Sequence, residues 1–229
     1  VIMAGKGGDA VELKWFLRKS IQKNKDEVKR LVAQERQKKI DEMSRDSGLP
    51  KRFRYKSFEN FRTSDNPGAY KKAHEFADKF PNVRKGLLLT GPVGTGKTHL
   101  AAAITKTLID KLYTVYFGNI TDIMSRIKNT YAKDAEIDES EIIRMMTERV
   151  DLLVIDDLGK EDETPNTMRV LYQIINKLYE NEKPVVITTN FGSSILARKL
   201  GERGAAIVSR ITGMCEPVSL SGKDWRLME

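Results

Sequence analysis

Residues 91–98 read Gly-Pro-Val-Gly-Thr-Gly-Lys-Thr and fill the pattern G-x-x-x-x-G-K-[ST] completely. Gly91, Gly94 and Gly96 permit a loop whose backbone N–H groups curl around an anion. Pro92, Val93 and Thr95 complete that loop, and His99 follows it. A helix starting at Lys97 adds the positive potential of its N-terminus. Lys97 offers a cation to the β- and γ-phosphates of ATP, and the Thr98 hydroxyl is a hard oxygen ligand for Mg²⁺. Further on, Leu152-Leu-Val-Ile-Asp156-Asp157 ends an apolar run in two carboxylates. Asp156 would hold the metal through water, and Asp157 would orient or deprotonate an attacking water. Asn190 closes a third run, Val185–Thr189, where an amide can meet the γ-phosphate or that water. The chemistry common to these groups is Mg²⁺-dependent hydrolysis of ATP.

Such groups act together only if one framework collects them. Gly86–Thr90 reads as a buried strand leading into the loop, with a helix over Lys97–Leu112 behind it. Further strands are expected at Thr114–Asn119, Val150–Asp156, Pro184–Thr189 and Val218–Leu220. Asn66-Pro67 opens one helix, and Thr164-Pro165 caps another that runs to about Glu180. Unbroken apolar strands alternating with helices predict an α/β fold with a parallel sheet covered on both faces. Ligands of such sheets bind at the carboxyl ends of the strands, where the carboxylates and Asn190 fall. About thirty residues separate Asn119 from Asp151, enough for two helices, Thr121–Tyr131 and Glu139–Arg149.

The 229 residues carry 40 Lys/Arg against 32 Asp/Glu, a net charge of +8. Residues 1–56 hold 16 of the basic residues and 8 of the acidic ones, so the whole excess lies in the first quarter. There Val11, Trp15, Leu17, Ile21, Val28, Leu31, Val32, Ile40 and Met43 recur at loosely helical spacing, interrupted over residues 33–39. Ser47-Gly48-Leu49-Pro50 ends that helix or helix pair. It is either a solvated basic helix or an arm on which Trp15, Phe16 and Leu17 dock another protein. The lone Cys215 excludes an internal disulfide and a cysteine zinc site. No apolar run nears the roughly 18 residues of a membrane span, and the first residues do not read as a signal peptide, so the expected location is the cytoplasm.

With these strand ends in order, the chain resembles AAA+ ATPases. More narrowly it resembles the bacterial replicative-helicase loaders of the DnaC/DnaI type, phage versions included, with the IstB transposition helpers as close cousins. The resemblance rests on SGLPKRF (47–53), SFENF (57–61), GPVGTGKTHLAAAI (91–104), LLVIDDLG (152–159), ITTN (187–190), LGERGAAIVSRI (200–211) and GKDWRL (222–227). It implies a P-loop AAA+ core over residues 51–229. That core has a five-stranded parallel sheet between helices and no separate lid domain. A basic helical arm over residues 1–50 is expected to precede it and to bind the partner, though the resemblance does not extend to the fold of residues 1–46. It makes Asn190 a sensor-1 residue, Arg226 a sensor-2-like arginine, and Arg210 an arginine finger reaching a neighbouring subunit, with Arg203 on the same face for self-association.

The resemblance further implies a replicative hexameric helicase as partner through the arm, and single-stranded DNA as a second one. Arg126, Lys128 and Lys133 would track phosphates while Tyr131 stacks a base; an ordinary solvated helical insert is the other reading, since acids crowd the same stretch. Phe58 and Phe61 either wall the adenine or are core aromatics. Arg203 and Arg210 are otherwise surface ion-pair residues. Asp157 departs from the usual Glu of AAA+ proteins, which suggests slow hydrolysis. The functions in play are a helicase-loading ATPase, an IstB-like transposition helper, and an ATP-gated adaptor that hardly hydrolyses. The ITTN and DWR elements favour the loader.

Overall fold

Five short runs become strands: β1 (Gly86–Thr90), β2 (Val115–Gly118), β3 (Leu152–Ile155), β4 (Val185–Thr189) and β5 (Cys215–Ser219). These belong to a computed structural model of the chain that describes residues 8–129, 138–160 and 164–227, with side chains of residues 8–13 and 129 outside it. All neighbouring strands are parallel, in the order β2-β3-β4-β1-β5. The first four strands are buried along nearly their whole length, as a sheet covered on both faces requires. The fifth strand begins three residues before the expected Val218. It lies at an edge, buries only Cys215 and Val218, and carries Pro217, which an edge tolerates.

The helices are α1 (Gly8–Asp46), α2 (Pro67–Lys79), α3 (Lys97–Asp110), α4 (Ile120–Asn129), α5 (Glu139–Arg144), α6 (Pro165–Glu180), α7 (Ser193–Lys199) and α8 (Gly204–Met214). α5 continues as a π-helical turn, Met145–Arg149, so the two expected helices between β2 and β3 are present. Local chemistry sets their starts. Pro67 occupies the first turn of α2. The Asp138 carboxylate accepts from the Glu141 N–H at 2.8 Å, and the Thr164 hydroxyl accepts from the Thr167 N–H at 3.1 Å. Ile120, Ile123 and Ile127 of α4 join Leu171, Ile174 and Ile175 of α6 and Ile155 and Ile187 of the sheet in one core.

The chain divides into two compact units, Val1–Glu42 and Met43–Glu229. In the first, α1 runs unbroken through residues 33–39. The interruption of its apolar stripe does not break it, because Gln, Glu, Arg and Lys are good helix formers. Trp15, Phe16 and Leu17 are all more than half exposed there. In the second, Gly48 takes φ +79° and ends the helix, where a Cβ would strike the Phe117 carbonyl. The Phe117 N–H donates to the Ser47 carbonyl at 2.7 Å, so this turn covers the open edge of β2.

Candidate active site

The sheet order makes β3, β4 and β1 consecutive neighbours, and each delivers chemistry from its carboxyl end. After β1 the chain enters the glycine loop. Gly94 takes φ +78° and Gly96 φ +100°, and a Cβ on Gly96 would lie 2.7 Å from the Phe61 ring, while one on Gly94 would collide with the Asp224 carboxylate. The Thr95 hydroxyl donates to the Pro92 carbonyl at 2.9 Å and tightens the turn. Lys97 opens α3 and is only 4% exposed. Its Nζ donates to the Gly91 carbonyl at 2.8 Å and the Pro92 carbonyl at 2.7 Å, so two of its three donors rest on the loop itself. Burial pushes its pKa down, and the nearby Asp157 charge opposes that.

Asp156 accepts at one oxygen from Thr98 Oγ1 at 3.0 Å and from Thr188 Oγ1 of β4 at 2.7 Å. Burial raises its pKa, and the Thr188 hydroxyl is the main opposing influence. A hydroxyl and a carboxylate oxygen held this close are hard donors of the kind Mg²⁺ takes, so the residues fit the ion. Among the described residues no group of three or more His, Cys, Asp or Glu converges on a metal position. Asp157 sits at φ +57°, its N–H donating to Thr188 Oγ1 at 2.8 Å and its carboxylate 2.7 Å from Lys160 Nζ.

These groups line a cavity of ≈ 440 Å³ together with Asn190 and Arg226. Val93, Gly94, Thr95, Gly96, Lys97, Thr98 and His99 line it too, while Gly91 and Pro92 act through their carbonyls on Lys97. His99 Nε2 lies 2.9 Å from the Ser57 carbonyl, and burial lowers the ring's pKa. Phe58 is not where a nucleotide wall would place it. It is 6% exposed and packs on Tyr70 and His74, while Phe61, stacked on Tyr70, lines the cavity instead. Of the two aromatics of SFENF, Phe58 is a core residue and Phe61 lines the cavity.

Arg226 is tied to Asp224 by its backbone N–H at 3.0 Å and its Nε at 3.1 Å. Arg210 lies outside the cavity. Its guanidinium donates to Asn176 Oδ1 at 2.8 Å, to the Tyr172 hydroxyl at 3.1 Å and to the Ala206 carbonyl at 3.1 Å. Arg203 precedes α8 in a 3₁₀ turn, and both arginines lie over the Tyr172 ring, at 5.5 and 5.0 Å. Neither is within ion-pair distance of a carboxylate among the described residues, so packing on Tyr172 replaces the surface ion pair. Arg126 and Lys128 are exposed on α4, Arg126 over the Tyr116 ring at 5.0 Å. Tyr131 and Lys133 lie outside the described residues.

A family model described as IstB-like ATP binding protein matches residues 15–229. The chain belongs to this family. This IstB-like chain is 31% identical over 179 residues to DnaC, the replicative helicase loader of Escherichia coli K12, an alignment covering 76% of the chain and 72% of DnaC. A crystal structure of the DnaC helicase loader matches it with a TM-score of 0.64 at 27% identity, over 75% of this chain and 99% of that one. AMPPCP-bound DnaA from Aquifex aeolicus matches with a TM-score of 0.61 at 25% identity, over 75% of this chain and 51% of that one. The core is therefore of the P-loop AAA+ type expected, and the family binds ATP. Residues of the IstB-like site that the sequence did not single out are Asn119 after β2, Lys160 and the basic rim of Arg52, Lys56 and Arg62. Asn119 had a signal, since it follows a strand beside β3; Lys160, Lys56 and Arg62 come from loops and Arg52 from a short 3₁₀ turn, none with periodicity. No described helix is long and apolar enough to cross a membrane.

Proposed function

We propose that the chain is an ATP-dependent loader that binds a replicative DnaB-type helicase and places it on single-stranded DNA. The observation carrying this reading is the convergence of Thr98, Asp156, Asp157 and Asn190 on the glycine loop, in a chain related to DnaC over most of its length. The N–H groups of the loop and Lys97 hold the phosphates, for which Lys97 exchanges its Gly91 and Pro92 carbonyl partners. Phe61 walls the base. Mg²⁺ bound by Thr98 and Asp156 would neutralise charge on the phosphates. Asp157 orients the attacking water and accepts its proton, and Asn190 holds the water or the γ-phosphate in place. Arg226 stands beside the loop in the same chain. Arg210, on the α6–α8 face with Arg203, serves as the finger toward a neighbouring subunit's nucleotide, which makes hydrolysis depend on assembly.

The exposed Trp15, Phe16 and Leu17 of residues 1–50 are the surface offered to the helicase. Arg126 and Lys128, with Tyr131 and Lys133, contact the DNA strand. Helicase capture with and without residues 1–46 tests the arm; capture surviving the deletion rejects it. Single-turnover ATP hydrolysis with DNA present tests the catalytic reading, which requires a rate lost in Lys97→Ala and in Arg210→Ala. A second reading, an ATP-gated adaptor that hardly hydrolyses, rests on Asp157, whose arm is shorter than the glutamate usual at that position. A normal wild-type rate rejects it.

A further inference from the structure

Asp157 has a shorter arm than the glutamate usual at such a position, so its carboxylate has less reach and its orientation matters more. The turn that follows it is built with some care. The Leu158 N–H donates to the Thr188 carbonyl at 2.8 Å, and Thr189 Oγ1 donates to the Leu158 carbonyl at 2.7 Å, which pins the segment to β4. Gly159 then takes φ +93° in a place where a Cβ would meet Leu196 at 2.8 Å and Phe191 at 3.0 Å. The chain must reverse there, and the reversal returns Lys160 to the cavity wall, with Nζ 2.7 Å from Asp157 Oδ2. Lys160 thus holds Oδ2, and among the described residues no hydrogen bond is made to Oδ1.

The pair is not there to stabilise the fold. The Lys160 side chain is 45% exposed and that of Asp157 36%, and pairs of that kind contribute little to stability. The Lys160 charge nevertheless reaches the site, where it acts against that of Asp157 on both Lys97 and Asp156. We propose that Lys160 is a positioning residue for hydrolysis, clamping the short Asp157 side chain by Oδ2 so that Oδ1 aligns the attacking water. This rests on the reading of Asp157 as the water-activating carboxylate.

The test compares wild type, Lys160→Ala, Lys160→Arg, Asp157→Asn and the double variant Asp157→Asn/Lys160→Ala as full-length chains. It measures single-turnover ATP hydrolysis, binding of AMPPCP and thermal unfolding. The expected result is a rate for Lys160→Ala lower by on the order of 10- to 100-fold, with AMPPCP affinity and unfolding temperature unchanged. Lys160→Arg restores most of the rate, and Lys160→Ala adds nothing in the Asp157→Asn background. A wild-type or faster rate in Lys160→Ala, while Asp157→Asn has lost activity, overturns the clamp and leaves the role of Asp157 standing. A faster rate would mean that Lys160 sequesters the carboxylate. Lower AMPPCP affinity at unchanged rate overturns it too, because Lys160 would then be a nucleotide ligand. Full activity in Asp157→Asn overturns the reading of Asp157 and the clamp with it.

Discussion

Phe58 and Phe61 stand three residues apart, yet only one of them faces the cavity. Phe61→Ala is expected to weaken nucleotide binding, read by titration with a fluorescent ATP analogue, with a small change in stability. Phe58→Ala removes a buried ring and is expected to cost about 3–5 kcal/mol in denaturant unfolding while affinity in the folded fraction holds. Asp156 makes a second contrast. Its folded pKa is raised mainly by burial, so the folded state holds the proton more tightly than the unfolded chain. This group therefore costs nothing below the unfolded value of 3.8, and its cost grows as pH rises through the raised folded value. The cost is complete once pH exceeds that raised value. Asp156→Asn keeps an acceptor for Thr98 and Thr188 without the charge, so it should raise the unfolding temperature at pH 7 and not at pH 3, while abolishing hydrolysis.

Elements hold these residues in place through contacts that local sequence states only in part. Gly86 starts β1 against β4, where a Cβ would strike the Val185 backbone. Gly86→Ala is expected to push the central strands apart and lose about 3 kcal/mol, visible as a lower urea midpoint together with weaker nucleotide binding. Thr164→Ala removes the N-cap of α6 and should cost about 1 kcal/mol. It should leave nucleotide affinity unchanged, because α6 packs on the far helices and not on the loop. The helix ends were legible because proline, threonine and glycine act within one turn. The start of β5 was not, because an edge strand with only two buried residues and a proline lacks the continuous apolar run that marked the others.

At the scale of the molecule, charge and chemistry are separated along the chain. The +8 excess lies in residues 1–56, and the remainder holds equal numbers of acids and bases. The compact unit starts at Met43, so removal of residues 1–42 should leave one cooperative unfolding transition and intact ATP binding while helicase capture is lost. Single-strand affinity should fall with salt, and Lys128→Ala with Tyr131→Ala should make that slope shallower if α4 is the DNA element. An unchanged slope would reject it. The sequence by itself determined the glycine loop, the carboxylates and four buried strands, since contiguous motifs and apolar runs express local physics. Only the tertiary structure decided that β4 lies between β3 and β1, that Phe61 and not Phe58 reaches the cavity, and that Lys160 returns to Asp157. Strand order is a choice among distant partners, and side-chain direction in aperiodic loops is set by what packs behind them, so neither leaves a period to read.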